Sequence, residues 1–444
     1  MFRLKASPAP PAFDESVFLI VLQLNNPSLL HEASLMDGKW VESRSGRRFD
    51  VEAAFDSFKD VNPRARAQIL FRWHGLITQA RDDIAQLVVY ETGKPMAEAL
   101  GEVDYALGFA WWFAGEAERV RGSIAIPSAP GRRTFVIKQP IGVSVALVPW
   151  NFSVAMITRK VAAALAAGCS MIVKPSPETP LSVLALADLA LQAGVPAGVL
   201  NVITTDNDMT PGVSEALCKH HLVRKVTFTG STAIGRLIAK HCSEGLKKVT
   251  LELGGNCPFI VFDDADLDQA LAALMILKWR TAGQACTHAN RVYVQNGVYD
   301  KFAAMLVEAT RKIKVGHGAE PGTTMGALTT GRGINKLQGH VADAVAKGGK
   351  RKRSRNWQTK LANETSMGLA SYFFTKDSSR TWRMLEKLEA GMIGMNTGNS
   401  SAAESPFGGI KESGYGKEAG KDVAIEEYLI SKTGTLTVEP VSKL

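Results

Sequence analysis

Long apolar runs are missing from this chain of 444 residues. The longest, VFLIVLQL (17–24) and VAAALAAGCSMIV (161–173), are shorter than the roughly 18 residues that a membrane-spanning helix needs. The five cysteines form neither a C-x-x-C pair nor a regularly spaced framework, so the thiols are predicted to be free. The sequence therefore predicts a globular protein with no membrane span, in a reducing compartment and large enough for about two or three packed units.

Charge of one sign is concentrated in only one short segment. The formal net charge is +9, but acids and bases alternate along helical stretches such as 97–121, as on a solvated surface. The exception is GGKRKRSRNWQTK (348–360), which has neither interleaved aromatic residues nor a recognisable nucleic-acid module. We expect no nucleic-acid and no membrane partner. A basic binding module is therefore the least favoured of the three classes of function that are compared below.

Strand-like and helix-like patterns alternate from residue 135 onward, after a helical region over 64–121. The strand-like runs are FVIKQPIGVSVALVPW, SMIVKP, VLNVIT, KVTFT and KVTLELGG. Between them lie helical patterns, the last of which begins near Gly235. This alternation predicts an α/β protein with a parallel sheet and crossover helices.

The turn TGSTAIG (229–235) connects one of these strands to a helix. Free backbone N–H groups at a helix N-terminus favour a phosphate, which makes the turn a candidate cofactor site. Its glycine spacing differs from the G-x-G-x-x-G of the common dinucleotide fingerprint, and glycine often only closes a turn. The turn alone leaves both roles open.

Cys286, in the segment TAGQACTHANR, is the candidate nucleophile. A catalytic thiol needs a base and an oxyanion donor, and Glu252 in LELGGN and Asn151 in PWNF are of the right types. A buried apolar cysteine is the alternative. His288 suggests a metal ligand, but no further ligand follows at zinc spacing, so no metal is expected.

Six short motifs occur in one order along most of the chain, and together they resemble the aldehyde dehydrogenase superfamily. They are PWNF (149–152), KPSPETP (174–180), FTGST (228–232), LELGG (251–255), GQAC (283–286) and PFGG (406–409). Each is weak alone, but the set is specific. The resemblance implies a Rossmann-type parallel-sheet coenzyme domain, an α/β catalytic domain and a small β oligomerisation arm.

The resemblance also implies a division of the chain. An irregular N-terminal extension covers 1–30, and a coenzyme-binding domain covers 31–251, with 123–145 contributing to the arm. A catalytic domain covers 252–426, and an oligomerisation tail covers 427–444. A homodimer or homotetramer is expected.

The chemistry implied by the resemblance is aldehyde oxidation through a cysteine. Cys286 would attack the aldehyde carbonyl, the Asn151 amide and the Cys286 N–H would stabilise the oxyanion, and Glu252 would activate the hydrolytic water. NADP or NAD would accept the hydride. The residues implied to bind this cofactor are Trp150, Lys174, Ser176, Gly230, Ser231 and Gly235.

Three further positions resemble the succinate-semialdehyde branch of the family. Arg159, Arg280 and Ser401 match the residues that hold the far carboxylate of the substrate, and such contacts are charge-assisted. Arginines are usually exposed, so a surface role for either is the alternative. Glutarate semialdehyde, one methylene longer, is the nearest competing substrate. The expected reaction is oxidation of succinate semialdehyde to succinate, as in 4-aminobutyrate degradation.

Cofactor choice depends on the residues after Lys174. Many relatives that prefer NAD have a glutamate three residues later, where this chain has Pro177, and Glu178 is displaced by one. With less carboxylate repulsion of a 2′-phosphate, NADP is predicted to be accepted at least as well as NAD.

Two segments of the family pattern are missing. After GRRFDV (46–51) a strand pair is absent, and after AKGGK (346–350) a few dozen residues are absent, including a Glu-x-Phe-Gly-Pro segment that holds the nicotinamide ribose. The basic cluster is therefore interpreted as a junction. These losses favour the second class of function, a catalytically impaired dinucleotide-binding paralogue, whereas intact Cys286, Glu252 and Asn151 favour the enzyme.

The chain ends in Ser442-Lys443-Leu444. This tripeptide is a peroxisomal address when it is C-terminal and accessible. A peroxisomal location is expected, with the cytoplasm as the alternative.

Overall fold

The computed structural model describes residues 24–41, 51–348, 358–420 and 423–438. The basic cluster at 350–355, the terminal tripeptide at 442–444 and positions 1–23 of the predicted extension lie outside these residues.

Helices dominate the first third of the chain and later alternate with strands, as the sequence predicts. The α-helices of the described residues are α1 (Val51–Phe58), α2 (Pro63–Gln79), α3 (Arg81–Thr92), α4 (Met96–Glu116), α5 (Ser153–Ala167), α6 (Pro180–Gln192), α7 (Thr210–Lys219), α8 (Thr232–Ser243), α9 (Leu267–Trp279), α10 (Tyr299–Arg311), α11 (Gly331–Ala346), α12 (Gln358–Asn363), α13 (Ser378–Lys387) and α14 (Val423–Glu426). Helix α8 begins three residues before the predicted Gly235, because the Ser231 hydroxyl caps it by accepting from the Ile234 N–H.

The strands are mostly short. They are β1 (Ser34–Met36), β2 (Lys39–Val41), β3 (Ser123–Ala125), β4 (Arg132–Pro140), β5 (Val143–Leu147), β6 (Ser170–Lys174), β7 (Leu200–Val202), β8 (Val223–Thr229), β9 (Lys248–Glu252), β10 (Cys257–Val261), β11 (Ala289–Val294), β12 (Met367–Gly368), β13 (Ala370–Phe374), β14 (Met392–Met395), β15 (Ile410–Lys411), β16 (Gly414–Tyr415) and β17 (Leu429–Thr437).

The first sheet has the order β16-β9-β8-β5-β6-β7-β1-β2. Its five central strands are parallel, as the alternating pattern predicts. The chain runs outward from β5 through β6 and β7, then returns to the other side of β5 with β8 and β9. The strand order therefore reverses between β5 and β8, and in open α/β sheets ligands bind at such a point, outside the carboxyl ends of the strands.

Helix α5 lies at the centre of the molecule, and every one of its side chains is buried. It ends at Gly168, whose φ of 92° closes the helix in the left-handed conformation. Helix α2 packs nearby through Leu70, Trp73 and Ile77, which are fully buried, and their helical spacing is the one visible in the sequence.

The second sheet has the order β11-β10-β13-β14 and is parallel throughout. Only residues 253–256 connect β9 of the first sheet to β10 of the second. The carboxyl edge of the first sheet and the amino edge of the second are therefore adjacent along the chain. The predicted α/β fold is confirmed.

A third, antiparallel sheet is formed by β3, β4 and β17. It joins part of the predicted arm at 123–145 to the predicted tail from 427, while residues 143–145 belong to β5. Ile124 and Ile126 are 81% and 75% exposed. Residues 414–415, from the predicted catalytic domain, form β16 and pair with β9 of the first sheet. The predicted domain boundary between residues 251 and 252 therefore stays a prediction.

Helix α11 presents an apolar stripe to solvent. Ile334, Leu337, Val341 and Val345 follow at helical spacing, and all four are exposed. Within the part of the chain that the structure describes, no side chain of α11 is buried. This helix immediately precedes the segment that the sequence predicts to be shortened.

No helix of the described residues is both long and apolar enough to cross a membrane.

Candidate active site

The predicted site residues of the first sheet lie at its carboxyl edge. Glu252 is the last residue of β9 and Lys174 the last of β6, while Gly230 directly follows β8 and Asn151 follows β5 within four residues. Parallel strands bring these ends to one edge. Four separate motifs of the sequence are thereby assembled into one region of the fold.

Cys286 faces this edge from the amino end of the second sheet. An added Cβ at Gly255, in the link between the sheets, would lie 2.3 Å from the Cys286 carbonyl oxygen. The Cys257 thiol, at the start of β10, lies 3.6 Å from the same oxygen. The loop that carries Cys286 (residues 280–288), called the nucleophile loop below, therefore packs closely against the link. Gly255, the second glycine of LELGG, is required for that approach.

The turn before Cys286 has an unusual backbone. Thr281, Ala282 and Gly283 have φ angles of 54°, 50° and 77°, so three consecutive residues are left-handed. For a residue other than glycine this conformation costs about 1–2 kcal/mol. Neither threonine nor alanine favours it, so the surrounding structure must hold the turn.

Asn151 reaches the nucleophile loop. Its side-chain Nδ2 donates to the Gln284 carbonyl oxygen at 2.9 Å, two residues before Cys286. The Gln284 side chain in turn donates to the Thr281 carbonyl at 3.0 Å. The structure thus brings the predicted oxyanion donor and the predicted nucleophile into one hydrogen-bonded loop system.

Glu252 is buried and Cys286 is partly buried, and the two reacting groups affect each other electrostatically. Burial raises the pKa of the Cys286 thiol to about 11, the Glu252 charge raises it as well, and Arg159 opposes both. The pKa of Glu252 is raised well above its usual range by burial and by the nearby Glu418 carboxyl. Both Glu252 oxygens lack a hydrogen-bond partner among the described residues.

Glu418 was not predicted, and it organises the charges of the site. The Lys160 ammonium and the Thr227 hydroxyl both donate to it, the latter at 2.7 Å, and an Arg159 nitrogen lies 3.0 Å away. Burial disfavours its charge, but Lys160 and Arg159 prevail and hold the pKa of Glu418 below its usual value. Two adjacent cations on the otherwise apolar α5 were the signal, because buried cations need an anion.

Arg159 is buried, which excludes the surface role considered for it. Its guanidinium carbon lies 4.2 Å from the Phe407 ring centroid and 5.6 Å from that of Phe109. Its Nε and Nη1 atoms have no hydrogen-bond partner within the described part of the chain. A guanidinium with covered faces and free N–H groups can bind a carboxylate with two parallel hydrogen bonds.

Ser401 is connected to the surroundings of Arg159 through Tyr105, which the sequence analysis did not identify. The Ser401 and Tyr105 hydroxyls are hydrogen-bonded to each other, and Tyr105 also affects the pKa of Arg159. Two of the three predicted carboxylate ligands are therefore brought together, with Tyr105 as a third group.

Arg280 is placed differently. It is exposed, and its guanidinium carbon lies 5.8 Å from the Phe152 ring centroid. Its role as a carboxylate ligand stays a prediction.

The predicted cofactor residues lie at or after the carboxyl ends of three neighbouring strands, and we call them the cofactor cradle. They are Trp150 after β5, Lys174 and Ser176 at β6, and Gly230, Ser231 and Gly235 after β8. Lys174 ends β6, the neighbour of β5, and its Nζ lies 3.4 Å from the Thr205 hydroxyl and 3.3 Å from that of Thr210. Burial lowers its pKa to about 8, and the Glu178 charge opposes that shift. Ser176 donates to Glu178, which also pairs with Arg332 at 3.2 Å.

The glycines of this cradle allow close packing. An added Cβ at Gly235 would lie 2.4 Å from Leu253, and one at Gly230 would lie 2.4 Å from the Phe228 ring. The start of α8, capped by Ser231, therefore lies directly against the strands. A helix N-terminus after β8, at the switch point, and a buried lysine at the end of β6 on the same sheet edge fit the phosphates and ribose of a dinucleotide.

His288 is buried, 3% exposed. Burial lowers its pKa to about 4, and the charge of Arg280 acts in the same direction. Among the described residues, no group of three or more His, Cys, Asp or Glu side chains could hold a metal ion.

Comparison with known proteins gives consistent matches. The family model described as "Aldehyde dehydrogenase family" matches residues 50–358 and 351–433. The chain is 42% identical to a glutarate-semialdehyde dehydrogenase of Pseudomonas putida and 41% identical to an NADP(+) succinate-semialdehyde dehydrogenase of Escherichia coli, each over 92% of this chain and 98% of the relative. The structure of a succinate-semialdehyde dehydrogenase from Burkholderia pseudomallei matches with a TM-score of 0.89 at 39% identity, covering 94% of this chain and all of that one.

These matches also locate a gap. The alignments with the two enzymes extend over 475 and 477 residues, more than the 444 of this chain, so the relatives carry segments that it lacks. The two family matches overlap at 351–358, which residues 347–350 separate from the end of α11 at Ala346, and this overlap includes most of the basic cluster. With most of its length matched by the family model and by relatives about 40% identical, the chain belongs to the aldehyde dehydrogenase family.

Proposed function

We propose that this protein oxidises succinate semialdehyde to succinate, with NADP or NAD as the hydride acceptor. The observation that carries the proposal is the buried Arg159 guanidinium, with free N–H groups, close enough to Cys286 for the two to interact electrostatically. A short aldehyde that ends in a carboxylate could place its two ends on these two residues. Relatives named for succinate and for glutarate semialdehyde support this substrate class, and glutarate semialdehyde is the second candidate.

The first step is nucleophilic attack by Cys286. With a pKa of about 11 the group is a thiol near pH 7, so a base must take its proton as sulfur bonds to the aldehyde carbon. Glu252, whose raised pKa makes it a stronger base than an ordinary carboxylate, is suited to this transfer. Asn151 and the Cys286 N–H stabilise the oxygen that gains negative charge.

The second half of the reaction releases the acid. A bound nicotinamide dinucleotide would supply the hydride acceptor that converts the Cys286 adduct to a thioester. Once Glu252 has released the Cys286 proton to solvent, it takes a proton from water as the water oxygen attacks the thioester carbon, and the carbon–sulfur bond breaks. The products are the carboxylic acid and the Cys286 thiolate, which is reprotonated.

Replacing the residues predicted to bind the substrate carboxylate should lower kcat/KM for acidic aldehydes much more than for uncharged ones. We expect Arg159→Lys, Arg280→Ala and Ser401→Ala to lower kcat/KM for succinate semialdehyde by about 10–100-fold, the range for a charge-assisted contact. Oxidation of butanal should change less than about threefold, because butanal has no carboxylate to lose. Lysine at 159 retains the second of the two cations that pair with the buried Glu418, so the charge balance of the cluster is kept.

Steady-state kinetics with both aldehydes check this prediction. Arg236→Ala, in an exposed ion pair with Glu412, is the matched control and should leave both substrates unaffected. Equal losses for both aldehydes in the three variants would show that these residues do not bind the substrate carboxylate.

Cofactor preference follows from the surroundings of Lys174. Because Glu178 is engaged by Ser176 and Arg332, its repulsion of a 2′-phosphate is reduced. We expect kcat/KM for NADP to be at least that for NAD, and Lys174→Met to weaken NADP binding about tenfold more than NAD binding. Fluorescence titration with each cofactor measures this, with the exposed Lys240→Met as control. A wild-type preference for NAD would contradict the prediction.

Assembly and location remain proposals. Exposed isoleucines on β3 and after it support a homodimer or homotetramer that pairs through the antiparallel sheet, which light scattering can test.

The terminal Ser-Lys-Leu supports delivery to peroxisomes. A reporter protein that carries the last ten residues and stays in the cytosol would contradict that proposal.

A further inference from the structure

Charged residues at the start of α4 contact both loops of the reaction centre. Glu98 and Glu102 are four residues apart and share one face of the helix, and Lys94 lies just before it. We propose that Lys94, Glu98 and Glu102 are positioning residues that hold the Asn151 turn and the Cys286 loop in register. This inference rests on the proposed function, since it names residues that act through Asn151 and Cys286.

The first contact is with the Asn151 turn. The Lys94 ammonium donates to the Asn151 carbonyl oxygen and to Glu102, each at 2.5 Å. The other oxygen of Glu102 accepts from the Val154 N–H at 3.0 Å, in the first turn of α5. One ion pair thus fixes the backbone at the oxyanion donor itself and three residues after it.

The burial of this ion pair makes it rigid. Lys94 and Glu102 are each only 3% exposed, and the Lys94 ammonium lies 4.4 Å from the Phe152 ring centroid. A buried ion pair contributes little net stability compared with apolar side chains of similar size. Its hydrogen bonds to the backbone at Asn151 and Val154 give it a different purpose, which is to fix where that turn lies.

The second contact is with the nucleophile loop. A Glu98 carboxylate oxygen accepts from the Thr281 N–H at 2.7 Å. Thr281 begins the left-handed turn that leads to Cys286, and left-handed non-glycine residues persist only where neighbouring groups hold them. Glu98 supplies that constraint from the same helix face that fixes the Asn151 turn.

The two held loops are also bonded to each other, through Asn151 Nδ2 and the Gln284 carbonyl. Oxyanion stabilisation depends on donors that are in place before the charge develops. A misplacement of about 1 Å costs on the order of a hundredfold in rate. If α4 sets the distance between donor and nucleophile, loosening its contacts should lower kcat and leave cofactor binding intact.

Two conservative substitutions of Glu98 separate positioning from charge. Glu98→Gln removes the charge but retains an oxygen that reaches Thr281, whereas Glu98→Asp retains the charge but is one methylene too short. We expect Glu98→Gln to stay within about threefold of the wild-type kcat, and Glu98→Asp to lose about 30–100-fold, with KM for the cofactor changed less than threefold in both. A purely electrostatic role would give the opposite order.

The same variants are assayed for hydrolysis of p-nitrophenyl acetate, which requires an activated thiol and an oxyanion site but neither cofactor nor aldehyde. Loss of this activity in Glu98→Asp and its retention in Glu98→Gln would support the proposal even if succinate semialdehyde proved not to be the substrate. Equal ester hydrolysis in the two variants would overturn it.

The buried pair is tested by the double variant Lys94→Met/Glu102→Gln, which leaves no unpaired charge. We expect its kcat to fall about 100-fold and its melting temperature to stay within a few degrees of wild type. Glu116→Gln is the matched control, because Glu116 is a buried acid at the other end of α4 that pairs with Arg119. Should the double variant lose melting temperature and keep kcat, Lys94 and Glu102 are structural residues and the proposal fails.

Discussion

Replacing Cys286 with alanine is expected to lower aldehyde oxidation by about 10⁴-fold or more, because removing a nucleophile removes the whole covalent route. Hydrolysis of p-nitrophenyl acetate should be lost in parallel. Binding of NADP should change little, since the cradle around Lys174 and the start of α8 belongs to the first sheet, whereas Cys286 belongs to a loop of the second. A fluorescence titration and a steady-state assay on the same preparation separate the two effects.

Cys218→Ala is the matched control for this experiment. Cys218 is likewise a free thiol, but it is buried in the apolar cluster around β8 and is not part of the reaction centre. Its replacement should leave kcat within about twofold of wild type. Substantial oxidation by Cys286→Ala would show that the covalent mechanism is wrong, whatever the identity of the aldehyde.

Restoring the two missing family segments is expected to raise kcat by about a hundredfold and to improve solubility. The segment absent after α11 contains the family's Glu-x-Phe-Gly-Pro, which would position the nicotinamide half of the cofactor. Without it that half is less constrained, and small misplacements of reacting atoms are costly. Cofactor affinity should change less, because Lys174 and the turn from Gly230 to Gly235 are in place.

The exposed stripe of α11 gives the physical reason for the expected gain in solubility. Ile334, Leu337, Val341 and Val345 form a continuous exposed apolar stripe, and such surfaces favour aggregation. The measurements are kcat, melting temperature and the soluble fraction on expression. A glycine- and serine-rich insert of equal length at 351–358 is the control, since it restores length without apolar cover. If the native chain and the restored chain have equal kcat and equal melting temperature, the gaps are harmless.

The parts of the site that follow strands could be predicted from the sequence. PWNF, KPSPETP, FTGST and LELGG each come directly after or at the end of an apolar run, and parallel strands place their ends together. Local pattern is sufficient there, because the same few residues determine both the strand and the turn.

The partners of these residues could not be predicted in the same way. Glu418 meets Lys160 across 258 residues of sequence, and Tyr105 meets Ser401 across 296. No local pattern contains such pairs, since they exist only once α4, α5 and the loop after β14 have packed. The exposed position of Arg280 was not predicted for a different reason, because the residue types Thr281 and Ala282 give no sign of the left-handed turn that follows it.

The carboxyls of Glu252 and Glu418 have a consequence for any titration of this enzyme. The pKa of Glu252 is raised by burial and by Glu418, the pKa of Glu418 is lowered by Lys160 and Arg159, and both cations also act on Glu252. Groups coupled in this way release protons in macroscopic steps that belong to the set rather than to one side chain. An inflection in a pH–rate profile will therefore describe the charge state of the four-residue cluster, and a shift of that inflection in an Arg159 variant will not identify the base.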